Sequence, residues 1–500
     1  MAEVFIKGAN GTSFQVPTGL FINNEFVTAS QNSTIKIENP ATNNHLANIS
    51  AAQPADIDAA VQAAQSAFTT TWKITPPSQR GALLSKLADL VARDADILAS
   101  LEAIDAGILF TESKNMHVPQ AIETLRYFAG WADKIAGKTL DIPGGIAYTK
   151  REALGVCAAI VPWNAPLMIT IWKLAPAIAT GNTLIIKTPE LCPLYGQYLA
   201  VLVKEAGFPP GVINILCGEG RTAGHHLASH TGVKKIAFTG STAVGRQILA
   251  ASASSNLKKV TLELGGKGPS IVFPDADLEN ALFWTSLGIT ANNGQICAAG
   301  SRIYVHSSIY KRFLVEFSKR SREAVVGDPL LPETTKGPII SKAQHEKIMR
   351  YIEKGRKLRT ARLLHGGDGV EGRFIANTAF ADVQDGDSIM REEIFGPVAA
   401  IASFDTEDEV ITKANDTDYG LSAAIFTNDV SRAHRVSSAL ESGQVTVNCW
   451  GVLHANTPFG GVKQSGFGRD MGEDALDGWT AVKTVKFNLL PDSDKLAAKL

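Results

Sequence analysis

Between residues 153 and 264 the chain repeats one unit: an apolar run, a short loop, then a stretch with helical spacing. The apolar runs are 154–161, 183–187, 212–217, 235–238 and 260–264, and the helical stretches are 168–179, 194–206, 222–229 and 242–251. A strand that is apolar along nearly its whole length is one covered on both faces. Alternating with helices, such strands predict a parallel sheet with helices on either side, a doubly wound α/β fold. That topology also fixes where a ligand goes, because these sheets bind outside the carboxyl ends of their strands.

The residues after the strands are Pro162-Trp163-Asn164, Thr188-Pro189-Glu190, Gly218-Glu219-Gly220, Thr239-Gly240-Ser241 and Gly265-Gly266. Each set holds a glycine or a hydrogen-bonding side chain. The GxGxxG dinucleotide fingerprint is absent: Gly218 to Gly224 has one residue too many, and Gly240 to Gly245 follows another spacing. Gly240 and Ser241 still close a strand and open a helix, which puts free backbone N–H groups and a hydroxyl where a pyrophosphate can sit. A plain turn capped by Ser241 or Thr242 explains the same residues. Glu190 has the chemistry to hold a ribose diol, with Lys187 beside it, though each charge also reads as solvated surface. Gly266-Lys267 is no Walker loop, since Gly268 stands where Ser or Thr is required.

The chain flanking this unit is of ordinary globular composition. Five hundred residues exceed one hydrophobic core, so at least two domains are expected. Residues 20–27 read as a hairpin turning at Asn23-Asn24, 56–68, 77–106 and 118–135 as helical, and 138–151 as a protruding hairpin broken by Pro143-Gly144-Gly145. A second α/β region follows Gly268, with strands near 270–273 and 301–305 and helices near 278–291 and 308–324. A formal charge of −1 gives no reason to expect nucleic acid or an acidic membrane as partner. The five cysteines are scattered with no CxxC pair, which points away from disulfides and zinc and toward a reducing compartment; no metal is expected. No leader or membrane-spanning run is visible, so neither secretion nor insertion is expected.

One thiol stands out. Asn292-Asn293-Gly294-Gln295-Ile296-Cys297-Ala298-Ala299-Gly300 surrounds Cys297 with residues too small or too polar to shield it. Free cysteines are among the most buried residue types, so core packing is the plainer reading. A nucleophile needs access and a route to the thiolate, and a sharp turn at Gly294 would present the sulfur and the Cys297 N–H to one side. Further on, Glu392-Glu393-Ile394-Phe395-Gly396-Pro397 sets two carboxylates ahead of an aromatic and a turn, which an exposed ion pair would also explain.

Taken together, Val161-Pro162-Trp163-Asn164, Phe238-Thr239-Gly240-Ser241, Leu262-Glu263-Leu264-Gly265-Gly266-Lys267, Gly294-Gln295-Ile296-Cys297, Glu393-Ile394-Phe395-Gly396-Pro397 and Pro458-Phe459-Gly460-Gly461 resemble the aldehyde dehydrogenase superfamily, in its NAD-using hydrolytic branch. The resemblance implies a cofactor domain from 1–135 and 154–264, a catalytic domain from 265–465, and a small β oligomerisation element from 136–153 and 481–489. A homodimer or homotetramer is implied likewise. Carried over by position, Cys297 is the nucleophile that forms a thiohemiacetal and then a thioester, Glu263 the base that activates water, and Asn164 a donor to the oxyanion. Val161, Pro162, Trp163, Lys187, Glu190, Gly220, Gly224, Phe238, Gly240, Ser241, Gly245, Leu264, Gly265, Glu393 and Phe395 are implied to bind the cofactor. A carboxylate at Glu190 favours NAD over NADP, because a 2′-phosphate would meet its charge.

For the aldehyde, Ala165, Trp172, Ile296, Ala298, Leu453 and Phe459 are the expected pocket residues, with Trp450 beside them. Ala165 and Ala291 stand where many relatives carry a ring, which predicts a wide tunnel for medium or long aliphatic or aromatic aldehydes. Too few rings remain to cage a quaternary ammonium, so betaine aldehyde is disfavoured. Two rival readings keep the fold: a CoA-acylating dehydrogenase, which has no need of Glu263, and a catalytically silent dinucleotide-binding scaffold, which has no need of the three catalytic positions. The C-terminal Ala498-Lys499-Leu500 differs from the peroxisomal Ser-Lys-Leu address only by Ser→Ala. A peroxisomal import receptor is thus a second expected partner, and a cytoplasmic chain ending in an amphipathic helix over 492–500 is the alternative.

Overall fold

Five parallel strands form the middle of an eight-stranded sheet, in the order Lys259–Glu263, Lys235–Thr239, Val156–Ile160, Thr183–Thr188, Ile213–Cys217. The computed structural model describes residues 2–490. Every residue of Val156–Ile160 and of Thr183–Thr188 is buried, as their unbroken apolar character requires. The chain runs outward from Val156–Ile160 to one side, then returns to lay Lys235–Thr239 on its other flank. The order of strands therefore reverses between Val156–Ile160 and Lys235–Thr239, and Asn164 and Gly240 follow those two strands. A crevice opens at such a switch point because the flanking loops diverge to opposite faces.

The expected hairpin, Leu20–Ile22 and Glu25–Val27, closes one edge of this sheet antiparallel, and both Asn23 and Asn24 take positive φ in its turn. Gly466–Phe467 closes the other edge against Lys259–Glu263. The chain thus comes back from the second α/β region to the first, and Phe459, Met471, Leu476 and Trp479 bury in the first sheet's core. All 14 residues of the helix Pro166–Ala179 are buried, so it lies inside the molecule rather than on it.

The second sheet has seven strands, ordered Arg362–His365, Thr378–Ala381, Val398–Phe404, Arg302–His306, Pro269–Val272, Ser422–Phe426, Gln444–Val447. All are parallel to their neighbours except Arg362–His365. A third, antiparallel sheet joins Thr139–Ile142 and Gly145–Ala153 to Thr480–Asn488, so the protruding hairpin and the C-terminal strand pair along nine residues. Among the described residues, no helix is long and apolar enough to cross a membrane. The helix expected at 492–500 and the C-terminal tripeptide lie outside the described residues.

Three helical expectations are corrected. The stretch 77–106 is not a single rod: it divides at Asp94 into Pro77–Arg93 and Ala95–Leu101, then widens into a π-helical turn at Glu102–Ala106. Asp94 takes φ −104° and ψ 26°, and its carboxylate accepts from Tyr198 Oη at 2.9 Å and from Arg93. The wide turn then puts Glu102 and Asp105 inside, where apolar periodicity alone gives no warning of them. A second π-helical turn at Gly220–Gly224 shortens the helix expected over 222–229 to His225–Ser229. The helix expected over 118–135 ends at Trp131.

Candidate active site

Cys297 reaches its position through three successive left-handed residues, Asn292 (φ 41°), Asn293 (φ 55°) and Gly294 (φ 66°). Only glycine fits the last of these, since a Cβ there would lie 2.3 Å from the Gly396 carbonyl oxygen. Asparagine tolerates the other two better than most residues do. The turn delivers Cys297, half-buried, to the wall of a cavity of about 870 Å³. Asn164 and Glu263 line the same cavity, so the structure brings together the three residues singled out by the motifs.

The strand Lys259–Glu263 ends on the carboxylate, and Gly265 and Gly266 then let three pieces of backbone converge. A Cβ on Gly266 would sit 2.2 Å from the Cys297 carbonyl oxygen, and one on Gly265 would sit 2.6 Å from Glu393 Oε2. The Gly266 N–H donates to Glu393 Oε1 at 2.9 Å. The second α/β region thereby brings Cys297 and Glu393 against the loop that carries Glu263.

Neither oxygen of Glu263 has a hydrogen-bond partner, and the residue is 4 % exposed. Burial, reinforced by the neighbouring Asp470 carboxylate, holds its pKa well above the usual carboxylate range, while Lys173 and Arg469 pull more weakly the other way. Burial also pushes the Cys297 thiol up to about 12, with Glu393 and Glu263 adding to it. A carboxyl whose pKa is raised by burial, and whose oxygens are free of hydrogen-bond partners, is suited to exchange a proton with water. The thiol, for its part, ionises only when a positive charge or a base comes near it.

Most of the residues expected to hold a dinucleotide lie at or just after the carboxyl ends of the first sheet's strands. Lys187 Nζ donates to Glu190 Oε2 at 2.8 Å and to the Thr188 carbonyl at 3.1 Å. The Gly220–Gly224 turn leaves room beside this pair: a Cβ on Gly220 would stay 3.8 Å from Glu190 Oε1 and one on Gly224 3.7 Å from the Lys187 stem. Ser241 caps the helix Thr242–Ser254, its hydroxyl accepting from the Val244 N–H at 3.4 Å, so the plain capping role is present. Gly240 donates to the Glu263 carbonyl at 3.0 Å and lies over the Phe238 ring, where a Cβ would clash at 2.5 Å. Gly245 packs on Leu264, whose side chain a Cβ would meet at 2.5 Å.

Val161 donates to the Lys187 carbonyl at 3.2 Å and Pro162 follows it, leading to Trp163. Trp163 meets Phe395 edge-on with ring centroids 5.3 Å apart. Phe395 holds φ 62°, a costly conformation for an aromatic residue, and Gln344 donates to its carbonyl at 2.8 Å. These features set a carboxylate–ammonium pair and closely packed glycines around the strand ends, where a sheet of this kind binds its ligand.

Ala165, Trp172, Ile296, Ala298, Leu453 and Phe459 all line the cavity. Trp172 and Phe459 pack with centroids 5.0 Å apart, and Trp450 donates its indole N–H to the Ala298 carbonyl at 2.9 Å. That bond fixes Trp450 as a wall beside the cysteine. Ala165 and Ala291 also face the cavity and leave its width unobstructed.

Several residues near the site escaped the motif reading. Lys173 and Asp470 form an ion pair inside the protein, and Asp470 lines the cavity with Glu263. Asn292 bonds the Asn164 carbonyl, while Glu102 and Glu112 hold the adjoining backbone. A lysine in an otherwise apolar helix, Pro166–Ala179, was the available signal for the first pair. Among the described residues, one cluster of metal-type ligands occurs, Asp58 with His226 and His230. His230 Nδ1 accepts from the Gly232 N–H at 2.9 Å, which leaves its proton on Nε2 facing Asp58, so hydrogen bonds account for the cluster.

A doubly wound sheet beside a cavity lined by a cysteine, an unpaired carboxyl and an amide has the fold and the groups of a dinucleotide-using oxidoreductase. The model of the aldehyde dehydrogenase family matches residues 26–485, and the chain belongs to that family. It is 48% identical to an aldehyde dehydrogenase of Alternaria alternata, over 98% of this chain and 99% of the relative. It is 49% identical to retinal dehydrogenase 2 of Homo sapiens, over 94% of this chain and 91% of that protein. The structure of an aldehyde dehydrogenase from Bacillus cereus in complex with NAD+ superposes with a TM-score of 0.93 at 42% identity, covering 95% of this chain and 97% of the other. The chain is accordingly an NAD(P)-dependent aldehyde dehydrogenase.

Proposed function

We propose that the protein oxidises medium or long aliphatic or aromatic aldehydes to carboxylic acids with NAD, by way of a thioester on Cys297 that water resolves. The observation that carries this reading is the unpaired, buried Glu263 carboxyl lining the same cavity as Cys297 and Asn164.

The Cys297 sulfur adds to the aldehyde carbon, and the carbonyl oxygen becomes an alkoxide. Asn164 and the Cys297 backbone N–H are read as the donors to that oxygen, and loss of one such donor typically raises a barrier by roughly 2.7–4 kcal/mol. NAD, when bound, supplies the hydride acceptor and a positive charge that favours the thiolate. Lys187 and Glu190 would hold its adenosine ribose, the 240–245 turn its pyrophosphate, and Glu393 with Phe395 the nicotinamide end. With the carbon oxidised, the substrate remains on Cys297 as a thioester. Glu263 takes a proton from water, the hydroxide attacks the thioester carbon, and Cys297 leaves as thiolate with the carboxylic acid released.

The width of the cavity at Ala165 and Ala291 supports the choice of bulky, apolar aldehydes. The sheet around Val156–Ile160 is read as the cofactor domain, 1–135 with 154–264, and 265–465 as the catalytic one. The paired segments 136–153 and 481–489 are read as the contact between subunits of a dimer or tetramer, with Leu140, Ile146, Val482 and Phe487 as exposed apolar side chains on it. Residues 498–500 are read as an address for the peroxisomal import receptor, which localisation with and without them would test.

The catalytic reading is tested by NADH absorbance with an aldehyde panel, with and without CoA, for the wild type and Cys297→Ala. Turnover without CoA that Cys297→Ala abolishes is expected. A requirement for CoA, or an active Cys297→Ala, would overturn it.

A further inference from the structure

The loops that carry Asn164 and Cys297 are tied together by one side chain. Asn292 Nδ2 donates to the Asn164 carbonyl at 2.7 Å, and the Asn292 N–H donates to Glu112 Oε2 at 3.3 Å. The other amide side chains of this loop bond elsewhere. Asn293 Nδ2 donates to the Gly337 and Pro338 carbonyls at 3.1 and 3.2 Å, and Gln295 Oε1 accepts from the Ile340 N–H at 3.2 Å. They fix the cysteine loop to the second α/β region, whereas Asn292 reaches across to the first sheet.

The far side of this link is anchored as firmly. Asn164 stands two residues before the helix Pro166–Ala179, whose Leu167 N–H donates to Glu102 Oε1 at 2.9 Å. The other oxygen of Glu102 accepts from Ser113 Oγ and pairs with His117 Nδ1 at 2.8 Å, with both side chains out of solvent. Glu102 and Glu112 thus reach opposite ends of one unit: helix start, Asn164, Asn292, cysteine loop. Of these links, the Asn292 amide is the one that bonds the Asn164 backbone itself, so it bears directly on the offset between that residue and the cysteine loop.

We propose that Asn292 is a positioning residue, whose amide sets the spacing between the two oxyanion donors, the Asn164 side chain and the Cys297 backbone N–H. The inference rests on the reading of those two groups as the donors. The alkoxide gains its full stabilisation only when both donors are in place, and a group misplaced by about 1 Å costs on the order of 10²-fold in rate. Ground-state contacts with the tail of the aldehyde lie along Trp172, Trp450 and Phe459 and are unaffected by the offset.

Asn292→Gly is the clean deletion, because glycine keeps φ near 41° at no steric cost where alanine would add strain. Asn292→Asp keeps the shape but turns the donor into an acceptor facing a carbonyl, and it carries the test should the glycine variant not fold. For both, kcat with decanal is expected to fall on the order of 10²-fold, with KM within about twofold of the wild type. The rate of Cys297 alkylation by iodoacetamide should stay at the wild-type value, since the nucleophile itself is not moved. Combined with Asn164→Ala, either variant should add almost no further loss, because the two act through one donor pair.

Unchanged kcat in both variants, losses that multiply in the double variant, or a raised KM with altered alkylation would each overturn the inference. An active wild type with undisturbed Asn292 variants removes this inference alone. A wild type that oxidises no aldehyde removes the functional reading and this inference together.

Discussion

Lys173 and Asp470, 297 residues apart in sequence, meet as an ion pair with side-chain exposures of 1% and 6%, and Asp470 lines the same cavity as Glu263. A charge pair this deep is strongly destabilising to break, because the surviving partner keeps its desolvation cost and loses its counter-ion. Lys173→Met is therefore expected to lower stability by about 3–5 kcal/mol in urea unfolding. It also removes a cation that lowers the Glu263 pKa. The rise of the turnover rate with pH should move to higher pH in this variant, and a rise at unchanged pH would show that Lys173 does not act on Glu263.

Glu263 itself gives the second prediction. Its pKa is raised by burial and by Asp470, and its working form is the ionised one. The fraction of working base therefore grows as pH rises through the raised value, and steady-state turnover should climb with pH above the ordinary carboxylate range. Glu263→Gln cannot ionise. It should lose the climb and turn over roughly 10²–10⁴-fold more slowly, the usual worth of a general base. An acyl adduct on Cys297 should accumulate in this variant and be visible by intact-mass spectrometry; its absence would mean that Glu263 acts before the thioester.

Apolar strands with hydrogen-bonding ends were legible in the sequence because a buried parallel strand leaves no polar residues to confuse the period. The cysteine loop was legible for a different reason: Gly294 and the small residues after Cys297 have no role in an ordinary core. What could not be read were contacts made by chain segments far apart in sequence. Glu102 reaches Leu167, Glu112 reaches Asn292, and Asp470 reaches Lys173, and each carboxylate looks like solvated surface until a π-helical turn or a returning strand buries it. The break at Asp94 was hidden likewise, since the partner that draws its side chain out, Tyr198, lies on another helix. Backbone strain at Phe395 has no sequence signature at all.

Cofactor choice should turn on Glu190. Its carboxylate holds Lys187 at 2.8 Å, and burial is outweighed by that ammonium, so the group stays ionised at neutral pH. A 2′-phosphate on the ribose would bring like charge against it, while Glu190→Gln leaves the Lys187 cation free to pair with the phosphate. The ratio of kcat/KM for NADP over NAD is expected to rise about tenfold in Glu190→Gln, equivalent to about 1.4 kcal/mol. An unchanged ratio would place the adenosine end of the cofactor elsewhere.

The width of the aldehyde tunnel can be altered at Ala165, which is 6 % exposed, faces the cavity and directly precedes the helix Pro166–Ala179. Its small side chain leaves open the volume between Asn164 and Trp172, and Ala291 does the same from the cysteine loop. In the wild type, kcat/KM for decanal and for benzaldehyde should exceed that for acetaldehyde, because each further buried methylene adds about 0.8 kcal/mol of binding. Ala165→Phe introduces a ring into that space without adding charge. The kcat/KM for decanal should then fall at least about tenfold, a loss of roughly 1.4 kcal/mol, while acetaldehyde, too short to reach the ring, stays within about threefold. Equal losses for both aldehydes would mean that the ring disturbs Asn164 rather than the tunnel. A wild type that prefers acetaldehyde would remove the wide-tunnel reading altogether.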